Sequence, residues 1–178
     1  MCGDKVVLLS DIRGLPPDST KYMPLSILAL GTALKAEGFT PILIDVQVEL
    51  DWIQILRRNL SDAMLLGVSS LTGPSIHSVL TALNIAKEEF PQVVTVWGGY
   101  HANQAVSSIF KEDWTDFVVL GVGEEAIVSL SRLVANNRDR IFPEAELKKV
   151  ANLAYKANSE IHVNPIKSLH MDDLPPMN

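Results

Sequence analysis

Cysteine is almost missing: Cys2 is the only one in 178 residues. That excludes a disulfide framework, and one thiol cannot by itself hold a zinc ion or an iron–sulfur cluster. An excess of positive charge is missing too. The 15 lysines and arginines stand against 21 aspartates and glutamates, a formal net charge of -6, and no basic patch breaks the pattern. Nucleic acid, bound through its phosphates, is therefore not an expected partner. Long apolar runs are also missing. No stretch approaches the roughly 18 residues that a membrane span requires, and the N-terminus carries no apolar signal-peptide core. The chain reads as cytoplasmic, with no membrane partner. Nor are two carboxylates, or a Ser/His/Asp set, spaced for obvious bond-breaking work.

What is present is alternation. Short β-branched runs, KVVLLS (5–10), TPILIDV (40–46), AMLLGVS (63–69), VVTVW (93–97) and DFVVL (116–120), are separated by helical stretches. LSILALGTALKAEG reads as a helix stopped by Gly38. DWIQILRRNL reads as a short helix with Asp51 as N-cap. GPSIHSVLTALNIAKEEF places Ile76, Val79, Leu80, Leu83 and Phe90 largely on one face, and a helix from Glu124 to Asn136 turns Ile127, Leu130, Leu133 and Val134 inward. Strands that are almost continuously hydrophobic and joined by helices imply a parallel sheet covered on both faces. The expected fold class is α/β: a doubly wound, Rossmann- or flavodoxin-like domain with a five-stranded parallel sheet over residues 1–140. Residues 141–178 form an extension. NLAYKANSEIHVNP signals a β-hairpin turning at Asn158–Ser159, and the acidic, proline-bearing end reads as a linker toward a further domain.

Ligands of open parallel sheets lie outside the carboxyl ends of the strands. Four loops are expected there: 11–24, 69–74, 98–103 and 121–125. Gly73, Gly98, Gly99, Gly121 and Gly123 leave three of those strand ends unusually bare. GVGEEA (121–126) fits the dinucleotide pattern G-x-G-x-x-A between a strand and a helix, but it follows the fifth strand rather than the first, and no strand ending in an acidic residue comes after it. Glu124 and Glu125 are accounted for by the helix dipole. His101 follows the glycine pair; local hydrogen bonding is the simpler reading, with metal ligation or an anion contact as the alternative. His77 reads as structural on its helix, His162 and His170 as exposed, and Cys2 as a free thiol.

The residues VSSLTGPSI after the third strand and VWGGYHAN after the fourth resemble the cobalamin-binding domains of corrinoid proteins, whose paired signature is S-x-L and then G-G. Here these are Ser69, Leu71, Gly98 and Gly99. TGPS, WGGYH, VVLGVGEEA, a hairpin similar to GLAYR-DNGKI and the terminal DDLPP resemble more specifically the N-terminal domain of cobalamin-dependent radical SAM enzymes. The resemblance covers residues 5–176. It implies that the dimethylbenzimidazole tail of cobalamin slots between sheet and helices, with the corrin across the strand ends. Bare backbone at Gly98 and Gly99 would admit the tail. Ser69 would hydrogen-bond the tail beside Thr72, Leu71 would pack near the lower corrin face, and Gly121 and Gly123 would flank the tail. Tyr100 and His101 would reach the ring's edge. Asp11, Arg13, Ser70, Gly73, Val122 and Glu124 complete the implied cofactor-binding set.

Three departures qualify it. The first loop reads DIRGLP, with Arg13 where a cobalt-ligating histidine stands in D-x-H-x-x-G and Pro16 where its glycine stands, so no metal ligand is expected there. Val122 replaces the glutamate of G-E-G-E. The three-cysteine cluster motif is absent, so a [4Fe-4S] cluster and S-adenosylmethionine belong to a radical SAM barrel domain of the parent that this sequence does not include. The expected function is cobalamin binding as the N-terminal module of a methyltransferase or cyclase, a module that binds without turning over. A stand-alone nucleotide-binding, flavin-binding or receiver-like domain is the alternative. A receiver would want an acidic residue after the third strand, where Ser69 and Ser70 stand, and a flavodoxin would want a phosphate loop where DIRGLPPDST stands. A scaffold without cofactor remains a third possibility.

Overall fold

The computed structural model describes residues 4–12 and 22–168. The first strand, β1 (Lys5–Asp11), is aliphatic on both sides. Val7 and Leu9 enter one core, and Val6 and Leu8 the other. That double burial is possible only where helices cover both faces of a sheet. β2 (Thr40–Asp45), β3 (Leu65–Ser70), β4 (Val94–Gly98) and β5 (Phe117–Val119) join it in the parallel order β2-β1-β3-β4-β5.

The helices are distributed as right-handed crossovers require. α1 (Leu25–Ala36) and α5 (Glu124–Asn136) bury Ile27, Leu34, Ile127 and Leu130 against one face. α2 (Trp52–Leu60), α3 (Ser75–Glu89) and α4 (Tyr100–Ile109) bury Leu56, Val79, Leu83 and Ile109 against the other. α1 stops as its sequence suggests. Gly38 has φ 85°, and the N–H groups of Gly38 and Phe39 donate to the carbonyls of Lys35 and Leu34, a glycine-closed helix end. Asp51 does precede α2, but its side chain makes no capping hydrogen bond.

The five-strand expectation needs correction: the sheet has seven strands. The C-terminal hairpin, β6 (Leu153–Ala157) and β7 (Glu160–Val163), does turn at Asn158 and Ser159, both at positive φ (51° and 67°). It is not an appendage. β6 pairs antiparallel with β5, Phe117 opposite Tyr155 and Val119 opposite Leu153. The physical reason is the three-residue β5, whose outer edge would otherwise present unpaired N–H and C=O groups beside a buried core. A one-turn helix, α6 (Glu144–Leu147), precedes the hairpin.

A second correction concerns residues 98–103, expected as a loop. Tyr100 opens α4, so Tyr100 and His101 belong to a helical first turn. Among the histidines, His77 is exposed on α3, whereas His162 is half-buried and stacked on Tyr155 at 5.4 Å. Cys2, Arg13, Pro16, His170 and the DDLPP segment lie outside the described residues. Among the described residues, no helix is long and apolar enough to cross a membrane, and no His/Cys/Asp/Glu group could hold a metal ion.

Candidate functional site

The strands' side-chain alternation decides where the molecule opens. On the face covered by α1 and α5, Leu8 of β1, Gly67 and Ser69 of β3, Val96 and Gly98 of β4 and Val119 of β5 form a floor. Ile27 and Leu30 of α1 and Ile127 of α5 form the roof, and the Gly121–Glu124 turn closes one side. The cleft between them has a volume of about 180 Å³. An apolar cavity of about 150 Å³ suffices for a benzene ring, so a flat heterocycle is within its capacity.

The two adjacent glycines do different things. Gly99 has φ 89° and ψ -172°, a region essentially reserved for glycine. A Cβ there would stand 2.7 Å from Ser69 Oγ and 3.0 Å from the Ser70 carbonyl oxygen. Its bareness serves the protein's own chain, letting the end of β4 press against the end of β3. Gly98 has no such demand on it. A Cβ at Gly98 would meet only Val119, at 3.7 Å and 4.0 Å, which is ordinary contact, and larger side chains would project into the cleft. Gly98 is the glycine that keeps space for something else.

Sequence reasoning missed Gly67, a glycine in the middle of a buried strand. A Cβ there would come 2.8 Å from Leu8 Cδ2, so Leu8 would be driven toward the cleft. A lone glycine inside a strand was the available signal. Ser26 and Asn103 were also missed. Ser26 Oγ lies 3.4 Å from Ser69 Oγ. Asn103 bolts two turns together: its Nδ2 donates to the Gly99 carbonyl at 3.0 Å, and its Oδ1 accepts the Gly121 N–H at 2.6 Å.

Of the sequence-derived residues, Ser69, Gly98, Gly99, Gly121, Val122, Gly123 and Glu124 line this one cleft. Leu71, Thr72, Tyr100 and His101 do not line it; they follow the carboxyl ends of β3 and β4. Thr72 Oγ1 and His101 Nδ1 are 3.3 Å apart, the His101 ring lies 5.5 Å from Trp97, and Leu71 and Tyr100 are 39 % and 59 % exposed. Ser70 faces away, its Oγ accepting the Trp97 indole N–H at 3.1 Å. Asp11 is buried opposite Ser70 in the β1–β3 register. Gly73, at φ 121°, has no atom near its absent side chain.

Polar capacity is left over beside the cleft. Ser10 stands opposite Ser69 in the register and is fully buried, yet its Oγ has no hydrogen-bond partner among the described residues. With the long Ser26–Ser69 contact, this leaves hydroxyl groups with unmet hydrogen-bonding capacity near an otherwise apolar slot. An apolar slot with a few convergent polar atoms suits a flat, mostly apolar ligand carrying a hydrogen-bonding atom. The residues present therefore fit a benzimidazole-like group.

Comparison with known proteins identifies the family. A family model described as the B12 binding domain matches residues 19–131. The anaerobic magnesium-protoporphyrin IX monomethyl ester cyclase of Rubrivivax gelatinosus is 30% identical over 121 residues, 66% of this chain and 22% of that protein. Its namesake from Synechocystis sp. is 26% identical over 147 residues, 78% of this chain and 27% of that protein. The chain thus spans about a quarter of the length of these relatives. Among solved structures, the cobalamin-dependent S-adenosylmethionine radical enzyme OxsB with aqua-cobalamin bound superposes with a TM-score of 0.74 at 18% identity, covering 96% of this chain and 23% of that one. The radical S-adenosylmethionine methyltransferase TsrM from Kitasatospora setae, with cobalamin and a [4Fe-4S] cluster bound, gives 0.68 at 20% identity, covering 90% and 30%. At such identities the likeness is one of fold. Together with the family match over more than half its length, it places the chain plainly: it belongs to the B12-binding domain family.

Proposed function

We propose that this chain binds cobalamin, with the dimethylbenzimidazole tail in the cleft between the sheet and helices α1 and α5. The observation that carries the proposal is Gly98, whose missing side chain leaves the floor of that cleft open without any internal packing reason. Ser69, with Ser26 beside it, would hydrogen-bond the tail. Gly121, Val122 and Gly123 would flank it, and Gly99 would hold the strand end against Ser69. Leu71, Thr72, Tyr100 and His101, which follow the carboxyl ends of β3 and β4, would meet the corrin. The residues from Ile12 to Pro24 include no histidine, so that connection would offer cobalt no imidazole.

When bound, the corrinoid supplies the organometallic chemistry, while the protein's part is to hold, orient and exclude water. Residues 1–140 would do the holding, and 141–178 would lead toward a catalytic domain. The parent activity we propose is that of a radical SAM methyltransferase or cyclase, supported by the cyclase relatives and by the folds of TsrM and OxsB. The chain alone would bind without turnover.

Absorbance titration with hydroxocobalamin, followed by desalting, tests the proposal. The wild-type chain should stay coloured. Gly98→Val should weaken uptake at least roughly a hundredfold, because the added isopropyl group would fill the slot, while melting stays close to wild type. Equal affinity in the folded variant overturns the placement of the tail.

A further inference from the structure

We infer that Asn152 is a positioning residue for the corrinoid, coupling the wall of the cleft to the segment after the hairpin; the inference rests on the cobalamin binding proposed above. Asn152 stands just before β6, is 4% exposed and has φ 65°, a conformation asparagine tolerates better than most residues. Its main chain is fixed on both sides: its carbonyl accepts the Leu120 N–H at 2.8 Å, and its N–H donates to the Pro165 carbonyl at 3.1 Å.

The side chain does more than stabilise a turn. Nδ2 donates to the Val122 carbonyl at 2.7 Å and to the Lys167 carbonyl at 3.2 Å, and Oδ1 accepts the Lys167 N–H at 2.6 Å. Both amide protons and the amide oxygen are thus engaged, one proton toward the cleft turn and the other proton and the oxygen toward the outgoing chain. Val122 sits between Gly121 and Gly123, all three lining the cleft. A turn flanked by two glycines has little stiffness of its own, so its shape depends on what grips it. Asn103 grips the Gly121 N–H, and Asn152 grips the Val122 carbonyl. Ile166 completes the link, its Cγ2 within 3.5 Å of where a Gly121 Cβ would be.

One buried amide therefore serves two masters. A ligand that selects one position of the 121–123 turn also selects one position of residues 165–167, and by linkage the reverse holds. The Lys167 amide points at Asn152 rather than into the cleft, so it reports this coupling without touching the ligand.

The test uses the full chain, hydroxocobalamin, and amide hydrogen exchange at Lys167 with and without the corrinoid. Asn152→Gly keeps the positive φ and removes the side chain. Asn152→Asp keeps an acceptor for the Lys167 N–H but sets a carboxylate oxygen against two carbonyls. Each should weaken hydroxocobalamin binding about tenfold, the scale of one lost hydrogen bond. Each should also abolish the slowing of Lys167 exchange that loading produces in the wild type. A merely structural asparagine would shift melting and, in Asn152→Asp, where the Lys167 N–H keeps its acceptor, leave that loading-dependent difference intact. The inference is overturned if either folded variant binds as wild type does, or if wild-type Lys167 exchange is indifferent to loading. Should Asn152→Gly not fold, Asn152→Asp decides. A wild-type chain that takes up no hydroxocobalamin overturns cobalamin binding itself, a failure distinct from one confined to the variants.

Discussion

The two ends of the same sheet are built to opposite specifications. At the amino end of β4 and β5, Asp116 is almost saturated. Its Oδ1 accepts from Lys87 Nζ at 2.7 Å and Arg140 Nη2 at 2.6 Å, and its Oδ2 accepts the Thr95 N–H at 2.8 Å and the Thr95 hydroxyl at 3.0 Å. Arg140 also donates to the carbonyl of Val93 at 3.0 Å and to that of Pro91. One carboxylate thus joins two strands, α3 and the segment after α5. At the carboxyl end lie Gly98, which ends β4, and Gly121, in the turn after β5, with a long serine–serine contact and a buried hydroxyl that has no partner among the described residues. The teaching is a division of labour. The saturated end fixes the fold, and that rigidity allows the open end to stay unsatisfied until something enters it.

Breaking the saturated end should damage the fold and spare the ligand. Asp116→Ala should cost roughly 3 kcal/mol of stability, because two partly buried cations and a main-chain N–H lose their acceptor together. Chemical denaturation would measure it, with hydroxocobalamin affinity of the folded fraction unchanged. Gly99→Ala sharpens the contrast by striking both functions at once. Its disallowed backbone and its contact with Ser69 and Ser70 should cost about 2 kcal/mol, and binding should fall in the same variant, unlike Gly98→Val, where only binding falls. Trp97→Phe removes the indole bond to Ser70 on the far side of the sheet. A loss of about 1 kcal/mol, with a near-unchanged absorbance titration, would show that the Trp97–Ser70 bond serves the fold rather than the ligand.

The smallest effect is expected far from both ends. On the surface, the hydrogen bond from Arg57 holds the Glu89 carboxyl below its ordinary value. A depressed carboxylate contributes stability above its unfolded value and loses it as pH falls through the folded one. Arg57→Ala should therefore melt slightly below wild type at neutral pH, with the gap closing on acidification through the carboxylate range and shrinking in high salt. Thermal melts at several pH values would detect it.

The sequence displayed most of this architecture because its strands are continuous aliphatic runs and its turns carry glycine or asparagine where positive φ is needed. Gly38 and the Asn158–Ser159 turn were legible for that reason. α4 was not: YHANQAVSSI has no strong apolar stripe, starts directly after a glycine, and is interrupted at Ala105, φ -126°. Residues 98–104 also drew a single interpretation for two glycines, because sequence cannot distinguish a backbone pressed by Ser69 from a backbone facing empty space. Gly67 and Asn152 were hidden for a related reason. Their roles depend on Leu8 and Lys167, residues distant in the chain whose approach only the folded sheet reveals. The hairpin itself was foreseeable, whereas its partner strand was not, since pairing with β5 is a matter of which edge needs covering.

That pairing has a topological corollary. β5 runs toward the cleft, β6 runs back, and β7 runs toward it again. Two added strands restore the original heading, whereas a single one would have sent the polypeptide off at the Asp116 side. By this even count, whatever follows Val163 sets out from the cleft's end of the sheet, with Pro165 and Lys167 already tethered there.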